Sequence, residues 1–218
     1  MPGITHHERL YRGSQITQRV NESTVTICGV GALGSNLADS LVRQGFKQLR
    51  AIDKDRVEEH NVGTQVYRLS DVGGWKVDVL RTHLFRVAEV DIDARRIELT
   101  QRSIKKCLRD SDVVVDAFDN SASRELVTRY CSRHGIPCLH MGLAADYGEV
   151  IWNENYRVPK DTAEDICDYP LARNIVLLTA TIAAEAIVRF AAVGLQEEHS
   201  VTLGDFMVRR LEPAIRSQ

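Results

Sequence analysis

Three glycines and an aspartate have the spacing of a phosphate-binding turn followed by a ribose-binding carboxylate. Gly29, Gly31 and Gly34 fit the pattern G-x-G-x-x-G, and Asp53 follows the last glycine by about twenty residues. The first glycine permits a tight turn, the second lets backbone N–H groups approach a phosphate, and the third lets a helix pack on a strand. These residues alone predict nucleotide binding.

The segments around these residues alternate between strands and helices. Thr24–Cys28 is rich in β-branched residues and predicts a strand, and Val113–Val115 predicts a second one buried on both faces. Asp116, Asp119 and Asn120 stand at or just beyond the end of that strand. Further helices are predicted over 76–90, 103–111, 121–134 and 171–194, and further strands over 94–102, 136–153 (one or two strands) and 199–213 (an edge strand).

The polar, glycine-containing segment 53–76 shows no periodicity, so we expect a long loop with short helical turns at the carboxyl edge of the sheet. Long loops at this edge commonly bind ligands. Asp116 is ambiguous from sequence, because it fits equally a capping residue and a residue lining the site behind Asp119.

Length and composition favour a single globular domain over residues 1–218. The chain carries no Pro/Gly/Ser-rich linker, 44% of its residues are hydrophobic and 27% are charged. The net charge of −2 argues against generic nucleic-acid binding. No apolar run is expected to span a bilayer, and the N-terminus lacks the apolar core of a signal peptide, so a cytoplasmic location is predicted.

The five cysteines form no C-x-x-C pair, and we therefore predict no structural zinc. Cys28, Cys131 and Cys138 fall in or beside predicted core elements and are interpreted as buried thiols. Cys167 differs from them because it lies in a polar loop shortly before the late helix.

Taken jointly, the motifs resemble the ThiF/MoeB/HesA family, the bacterial relatives of ubiquitin-activating enzymes. The resemblance covers nearly the whole chain. It rests on G-x-G-A-L-G-S-N (29–36), D-x-D-x-V-E (53–58), Asn61 with Gln65, D-V-G-x-x-K (71–76), D-V-V-V-D-A-x-D-N-x-x-x-R (112–124) and A-x-E-A-I in the late helix. It implies a doubly wound, Rossmann-like α/β fold with a parallel core, antiparallel edge strands and helices on both faces.

The resemblance also implies ATP-dependent adenylation of the C-terminal carboxylate of a small β-grasp protein ending in Gly-Gly, either a sulfur carrier or a ubiquitin-like protein. Lys76 matches a position that contacts the triphosphate, and Asp119 matches the magnesium-binding aspartate. The remaining implied ATP contacts are Gly29, Gly31, Gly34, Asp53, Asp55, Asn61 and Gln65.

Two further roles are implied less directly. The N-terminal arm (residues 1–20) resembles a family segment in which an arginine reaches the ATP phosphates of a partner subunit, with Arg9 and Arg12 as candidates and a homodimer as the consequence. A mobile terminal arm is the alternative. Cys167 lies near the position of a sulfur-accepting cysteine, where a thiol can attack the acyl adenylate.

The chain also departs from the family pattern. Thr64 stands where many relatives have a phosphate-binding arginine, and Arg68 or Arg12 is expected to compensate, unless the triphosphate is held less tightly. Three alternatives therefore stay open. They are adenylation of another carboxylate or amide, an inactive scaffold subunit, and an NAD-dependent oxidoreductase, which only the glycine pattern and Asp53 favour.

Overall fold

The computed structural model describes residues 3–159 and 170–212. In this part of the chain the α-helices are α1 (His6–Arg12), α2 (Ser14–Glu22), α3 (Ala32–Gln44), α4 (Lys76–Ala88), α5 (Ile104–Leu108), α6 (Ser121–His134) and α7 (Arg173–Val193). The strands are β1 (Thr24–Cys28), β2 (Gln48–Asp53), β3 (Asp93–Arg96), β4 (Val113–Asp116), β5 (Cys138–Ala144), β6 (Tyr147–Trp152), β7 (His199–Thr202) and β8 (Met207–Arg210).

The strands form one eight-stranded sheet in the order β3-β2-β1-β4-β5-β6-β7-β8. The first five strands in this order pair in parallel, and the last three pair antiparallel. This confirms the predicted parallel core with antiparallel strands at one edge. The strand order reverses direction between β1 and β4, and ligands of open α/β sheets bind at such a point, beyond the carboxyl ends of the strands.

Helices cover both faces of the parallel part, as predicted. Alternate residues of β1 place Val25 and Ile27 in a core shared with α3, α4 and α7, and place Cys28 in a second core with α5 and α6. Cys107, Cys131 and Cys138 belong to the second core, so the interpretation of Cys28, Cys131 and Cys138 as buried thiols is confirmed. Burial raises the pKa of Cys28 and of Cys138 well above the usual range of a thiol.

Two predicted elements differ from the structure. The strand predicted over 94–102 ends at Arg96, where its partner β2 also ends at Asp53. The single edge strand predicted over 199–213 is a hairpin of β7 and β8, in which Phe206 adopts a positive φ of 55°. The loop 53–76 does contain short helical turns as expected, at Glu59–Gly63 and Leu69–Asp71.

Helix α7 is an exception to the expectation that no apolar run is long enough to span a bilayer. An 18-residue window within Arg173–Val193 has a mean hydropathy of 1.9 and carries few charges, so by length and composition it passes the test for a membrane span. Of that window, 56% is buried inside the protein. Ile175, Val176 and Ile187 are among its fully buried residues, which is the pattern of a helix packed on a sheet.

Candidate active site

The glycine turn between β1 and α3 is shaped by two close backbone approaches. Gly29 has a φ of +87°, and a Cβ built there would lie 2.9 Å from the carbonyl oxygen of Ala117. A Cβ built on Gly34 would lie 2.0 Å from the carbonyl oxygen of Gly29. At Gly31 the described atom nearest to such a Cβ is the Nε2 of Gln65, at 4.0 Å. Gly29 and Gly34 are therefore required for packing, whereas the space at Gly31 is open to a ligand.

The N-terminus of α3 faces this open space. Gly31 is the N-cap residue and no side chain caps the helix there. The first backbone N–H groups of an α-helix have no partner within the helix, and they carry the positive end of the helix dipole. The turn is therefore suited to hold an anionic group such as a phosphate.

Asp53 ends β2 and supports the glycine turn. Its Oδ2 accepts a hydrogen bond from the backbone N–H of Val30, and its Oδ1 accepts one from Asp55, both at 2.8 Å. The side chain is buried, and burial raises the pKa of this carboxyl, opposed by the two backbone donors and by the charge of Lys76. Each carboxylate oxygen still has a lone pair for a further donor, such as a ribose hydroxyl.

These elements surround a cleft of about 200 Å³ at the carboxyl edge of the sheet. Its polar lining comes from the glycine turn, the end of β2, the start of α4 and the turn after β4. Its apolar lining comes from Ile97, Leu99 and Phe118. The predicted site residues that line it are Gly29, Gly31, Asp53, Asp55, Lys76 and Asp119. A cleft with one polar and one apolar region fits a ligand that joins a flat ring to charged groups.

Lys76 presents a cation at this cleft. Its side chain is 12% exposed and its Nζ lies 4.0 Å from the Oδ2 of Asp55. Its backbone N–H donates to the carbonyl oxygen of Asp55 at 3.0 Å, so the start of α4 is fixed to the segment after β2. A second cation, Lys54, forms a 2.7 Å ion pair with Glu98 on the same lining. That hydrogen bond to Glu98 raises the pKa of Lys54.

Asp119 lies exposed in the turn between β4 and α6. Its Oδ1 accepts a 3.3 Å hydrogen bond from the side chain of Asn120, and Asn120 caps α6 by accepting from the N–H of Ser123 at 2.9 Å. Asn120 is thus a helix cap. Among the described residues the second carboxylate oxygen of Asp119 has no hydrogen-bond partner, so it is available to a ligand. Mg²⁺ is commonly held by one or two carboxylates and the phosphates of a substrate, so Asp119 fits that ion. Residues 3–159 and 170–212 contain no group of three metal-binding side chains.

Asn61 and Gln65 are buried beside the cleft and do not line it. The Oδ1 of Asn61 accepts from the backbone N–H of Glu58 at 2.9 Å, so this side chain holds its own loop. The Oε1 of Gln65 is buried and has no hydrogen-bond partner among the described residues, and the Nε2 of Gln65 is the described atom nearest to the open side of Gly31.

Thr64 has a cation beside it that the sequence did not indicate. Arg173, the first residue of α7, directs its Nη1 at the carbonyl oxygens of Gly63 and Gln65, at 3.4 and 3.5 Å. Arg68 is exposed. The positive charge next to Thr64 therefore comes from α7, about a hundred residues further along the chain.

The N-terminal arm folds as α1 and α2 against the chain's own α7. The guanidinium of Arg12 is 2.6 Å from Glu8 and 2.7 Å from Glu185, and the bond to Glu185 raises the pKa of Arg12. Arg9 is exposed, and no ion pair of Arg9 is found among the described residues. Within one chain, neither arginine lines the cleft. Cys167 lies outside the described residues.

Three residues hold the turn of Asp119 from behind, and of these the sequence indicated Asp116 and Arg124 but not His140. Asp116 and His140 are fully buried, with the Oδ2 of Asp116 2.8 Å from the Nδ1 of His140. Arg124, the last residue of the D-N-x-x-x-R motif, lies 3.6 Å from the same oxygen. Asp116 is therefore a buried partner of His140 and does not cap a helix or line the cleft. A histidine at a predicted strand position was the one available signal.

Comparison with known proteins gives the family and the fold. The ThiF family model matches residues 7–200. The sulfur carrier protein ThiS adenylyltransferase of Bacillus subtilis (strain 168) is 31% identical over 135 residues, which are 60% of this chain and 40% of that protein. The tRNA threonylcarbamoyladenosine dehydratase of the same organism is 30% identical over 136 residues, 61% of this chain and 54% of that protein. The chain thus spans about half the length, or less, of these relatives.

Solved structures of E. coli MccB share the fold. The structure of MccB with ATP superposes with a TM-score of 0.78 over 95% of this chain and 69% of that chain, at 18% sequence identity. The structure of PaaA superposes with a TM-score of 0.74 over 91% of this chain and 66% of that chain, at 22% identity.

Proposed function

The chain belongs to the ThiF family, and we propose that it binds ATP with Mg²⁺ in the cleft and adenylates the C-terminal carboxylate of a small sulfur-carrier or ubiquitin-like protein. The observation that carries this proposal is the placement of Gly31, Asp53, Lys76 and Asp119 around one cleft. These four residues come from four separate segments, and each supplies a different interaction that a nucleoside triphosphate needs.

The nucleotide would lie with its phosphates on the N-terminus of α3 and its ribose on Asp53. Open space at Gly31 lets the phosphates approach the helix N-terminus, and the carboxylate of Asp53 accepts from ribose hydroxyls. Ile97, Leu99 and Phe118 then provide an apolar surface of the kind that an adenine ring contacts.

The reaction joins a carboxylate to the α-phosphate. One oxygen of the carrier's C-terminal carboxylate bonds to the α-phosphorus, the bond from that phosphorus to the bridging oxygen breaks, and pyrophosphate leaves with the electron pair. Lys76 stabilises the charge that develops on the pyrophosphate. Asp119 would hold Mg²⁺, which when bound neutralises phosphate charge. The product has AMP as a good leaving group, which sulfide, persulfide or a thiol can displace.

The relatives support the class of substrate. They include a sulfur carrier protein adenylyltransferase of Thermus thermophilus, 34% identical over 117 residues, and a SAMP-activating enzyme E1 of Haloferax volcanii, 31% identical over 124 residues. By their names, the first adenylates a sulfur carrier protein and the second activates SAMP. We propose that the partner of this chain is likewise a β-grasp protein whose tail ends in Gly-Gly.

One set of similarities favours a second candidate, adenylation of a different carboxylate or amide. The tRNA threonylcarbamoyladenosine dehydratase is about as similar in sequence as the sulfur-carrier enzymes, and several of the MccB structures are complexes with MccA. The cleft described above serves either substrate class. The two candidates therefore differ in the acceptor and share the nucleotide chemistry.

ATP–pyrophosphate exchange separates these candidates. The purified chain is incubated with MgATP, labelled pyrophosphate and each small β-grasp protein of the source genome that ends in Gly-Gly. The proposal expects exchange with one carrier, and none with the same carrier lacking its last two glycines. Exchange with a tRNA or a short peptide, and with no carrier, would replace the carrier proposal by the second candidate.

Three further assignments belong to the proposal. A homodimer would let an arginine of the arm act on the partner's ATP, and Arg9 is the better candidate because Arg12 is held by Glu185 within the chain. Cys167 would accept the acyl group or its sulfur. A cytoplasmic location fits these roles.

Mixed subunits test the trans arrangement. Arg9→Ala and Asp119→Asn are each expected to lose adenylation, and their mixture is expected to regain about a quarter of the wild-type rate, since one site in a mixed dimer keeps both residues. A mixture as inactive as the separate variants contradicts an arm acting in trans. For Cys167, Cys167→Ser should form the adenylate and lose any covalent carrier adduct seen by mass spectrometry.

A further inference from the structure

A buried charged cluster lies directly behind the turn that presents Asp119 to the cleft. Asp116 and His140 have no exposed surface, and Arg124 is 9% exposed. Removing charged groups from water is unfavourable unless their partners compensate, and replacing such clusters by apolar residues is often neutral or stabilising. Stability alone therefore does not explain why three such groups meet at this point.

The two carboxylate oxygens of Asp116 have separate partners. Its Oδ2 lies 2.8 Å from the Nδ1 of His140. Its Oδ1 accepts a hydrogen bond from the backbone N–H of Phe118 at 3.2 Å. Phe118 directly precedes Asp119, so the carboxylate of Asp116 joins the imidazole of His140 to the backbone of the turn that carries Asp119.

His140 is fixed from several sides. Its ring stacks on the ring of Tyr156 with centroids 3.7 Å apart and planes 6° apart, and its Nε2 lies 3.0 Å from the Oδ1 of Asn153. Arg124 donates to the hydroxyl of Tyr156 at 2.9 Å and to the carbonyl oxygen of Met141 at 2.8 Å. These contacts leave the imidazole little freedom to rotate away from Asp116.

We propose that His140 is a positioning residue for nucleotide binding: it orients Asp116, which in turn holds the backbone of residues 117–119 so that Asp119 faces the cleft. The effect on nucleotide binding rests on the proposed function, whereas the effect on the turn rests on the contacts alone. A displacement of a binding group by about 1 Å can lower an enzymatic rate on the order of a hundredfold, so a residue that never touches the ligand can matter at this scale.

Two variants of His140 and one control separate positioning from stability. His140→Leu removes the donor to Asp116, whereas the carboxamide of His140→Asn can still donate to it. Thr26→Val is the matched control, because Thr26 is equally buried and, within residues 3–159 and 170–212, its hydroxyl bonds towards the amino edge of the sheet, 2.7 Å from Ser111 and 3.4 Å from Arg50.

The first readout is hydrogen exchange of the Phe118 amide, measured relative to the Ile27 amide in the same sample. His140→Leu is expected to raise this ratio tenfold or more, while His140→Asn and Thr26→Val stay within threefold of wild type. The second readout is the ratio of ATP dissociation constants without and with Mg²⁺, by calorimetry. In this readout too, His140→Leu is expected to differ from wild type, with a tenfold loss of the magnesium effect, while His140→Asn and Thr26→Val stay close to wild type.

The two readouts fail independently. An unchanged Phe118 ratio in His140→Leu would overturn the positioning role, whatever ATP does. If wild-type protein did not bind MgATP, the proposed function would fail while the exchange data still decided the role of His140. If His140→Leu does not fold, Asp116→Ala compared with Thr26→Val replaces it, and an unchanged Phe118 exchange ratio there would equally overturn the proposal.

Discussion

The Nζ of Lys76 lies 4.0 Å from the Oδ2 of Asp55, at the edge of the cleft that Gly31 and Asp119 also line. This separation is at the limit of an ion pair, and Asp55 is more than half exposed. Such a pair stabilises the fold weakly. The lysine is therefore held near the cleft and can turn to a phosphate without breaking a strong contact.

Replacing Lys76 by alanine should lower activity more than stability. We expect kcat/KM for adenylation to fall about a hundredfold, the scale seen when one electrostatic contact to a transition state is lost. The free energy of unfolding should change by no more than about 1 kcal/mol, because the one ion pair of Lys76 among the described residues is the 4.0 Å contact with the half-exposed Asp55. Lys47→Ala, at an exposed position after α3, is the control. Equal rates in both variants would remove Lys76 from the mechanism.

Two substitutions in the glycine turn separate its role in packing from its role in ligand binding. Gly34→Ala should destabilise the protein by about 3 kcal/mol, because its Cβ would meet the Gly29 carbonyl oxygen at 2.0 Å and the backbone must shift. Gly31→Ala should leave the unfolding midpoint near wild type and weaken ATP binding at least tenfold, since the open space there is where a phosphate approaches. Urea unfolding measures the stability of each variant, and calorimetry measures its affinity for ATP. A Gly31→Ala protein with normal ATP affinity would place the phosphates elsewhere.

The contact between the arm and α7 should depend on pH. Burial raises the pKa of Glu185, but hydrogen bonds from Arg12 and Arg189 outweigh it and the net pKa is lowered. A carboxyl whose pKa is lowered on folding contributes stability above its unfolded pKa of about 4.3, and loses it as the pH falls through the folded value. Glu185→Gln should therefore cost about 1 kcal/mol at pH 7, a value that allows for the partial exposure of the pair.

The difference between wild type and Glu185→Gln should shrink as the pH falls through the lowered folded pKa of Glu185, because the protonated carboxyl loses its ion pair. Urea unfolding at pH 7, 5 and 3 measures it. Glu154→Gln is the control, because Glu154 is exposed and forms no ion pair within the described residues. A difference that is constant with pH would mean that the arm is not held through the charge of Glu185.

The parallel core could be predicted from the sequence because the patterns that indicate it lie close together along the chain. The strand Thr24–Cys28, the glycine turn and the helix after it are encoded within about twenty consecutive residues, and the structure places them as predicted. The carboxyl-edge positions of Asp53 and Asp119 follow from the same rule, because parallel strands end at one edge.

What the sequence did not indicate depends on contacts between distant segments. Arg173 lies beside Thr64 because α7 packs on the face of the sheet that α3 also covers. His140 meets Asp116 because the neighbouring strands β4 and β5 pair these two residues in register. The division of 199–213 into two strands depends on the turn at Phe206, a residue type that seldom adopts a positive φ. Propensity and periodicity carry no information on such pairings.

Calorimetric titration with MgATP and, separately, with NAD decides whether the cleft is an ATP site, on wild type, Asp119→Asn and the exposed control Asp110→Asn. We expect wild type and Asp110→Asn to bind MgATP and not NAD. Asp119→Asn should bind ATP at least tenfold more weakly in the presence of Mg²⁺ while keeping its unfolding midpoint, because Asp119 is exposed and bonds only to Asn120 in the described part of the chain. Binding of NAD without ATP, or MgATP binding that is indifferent to Asp119→Asn, would contradict the proposed function.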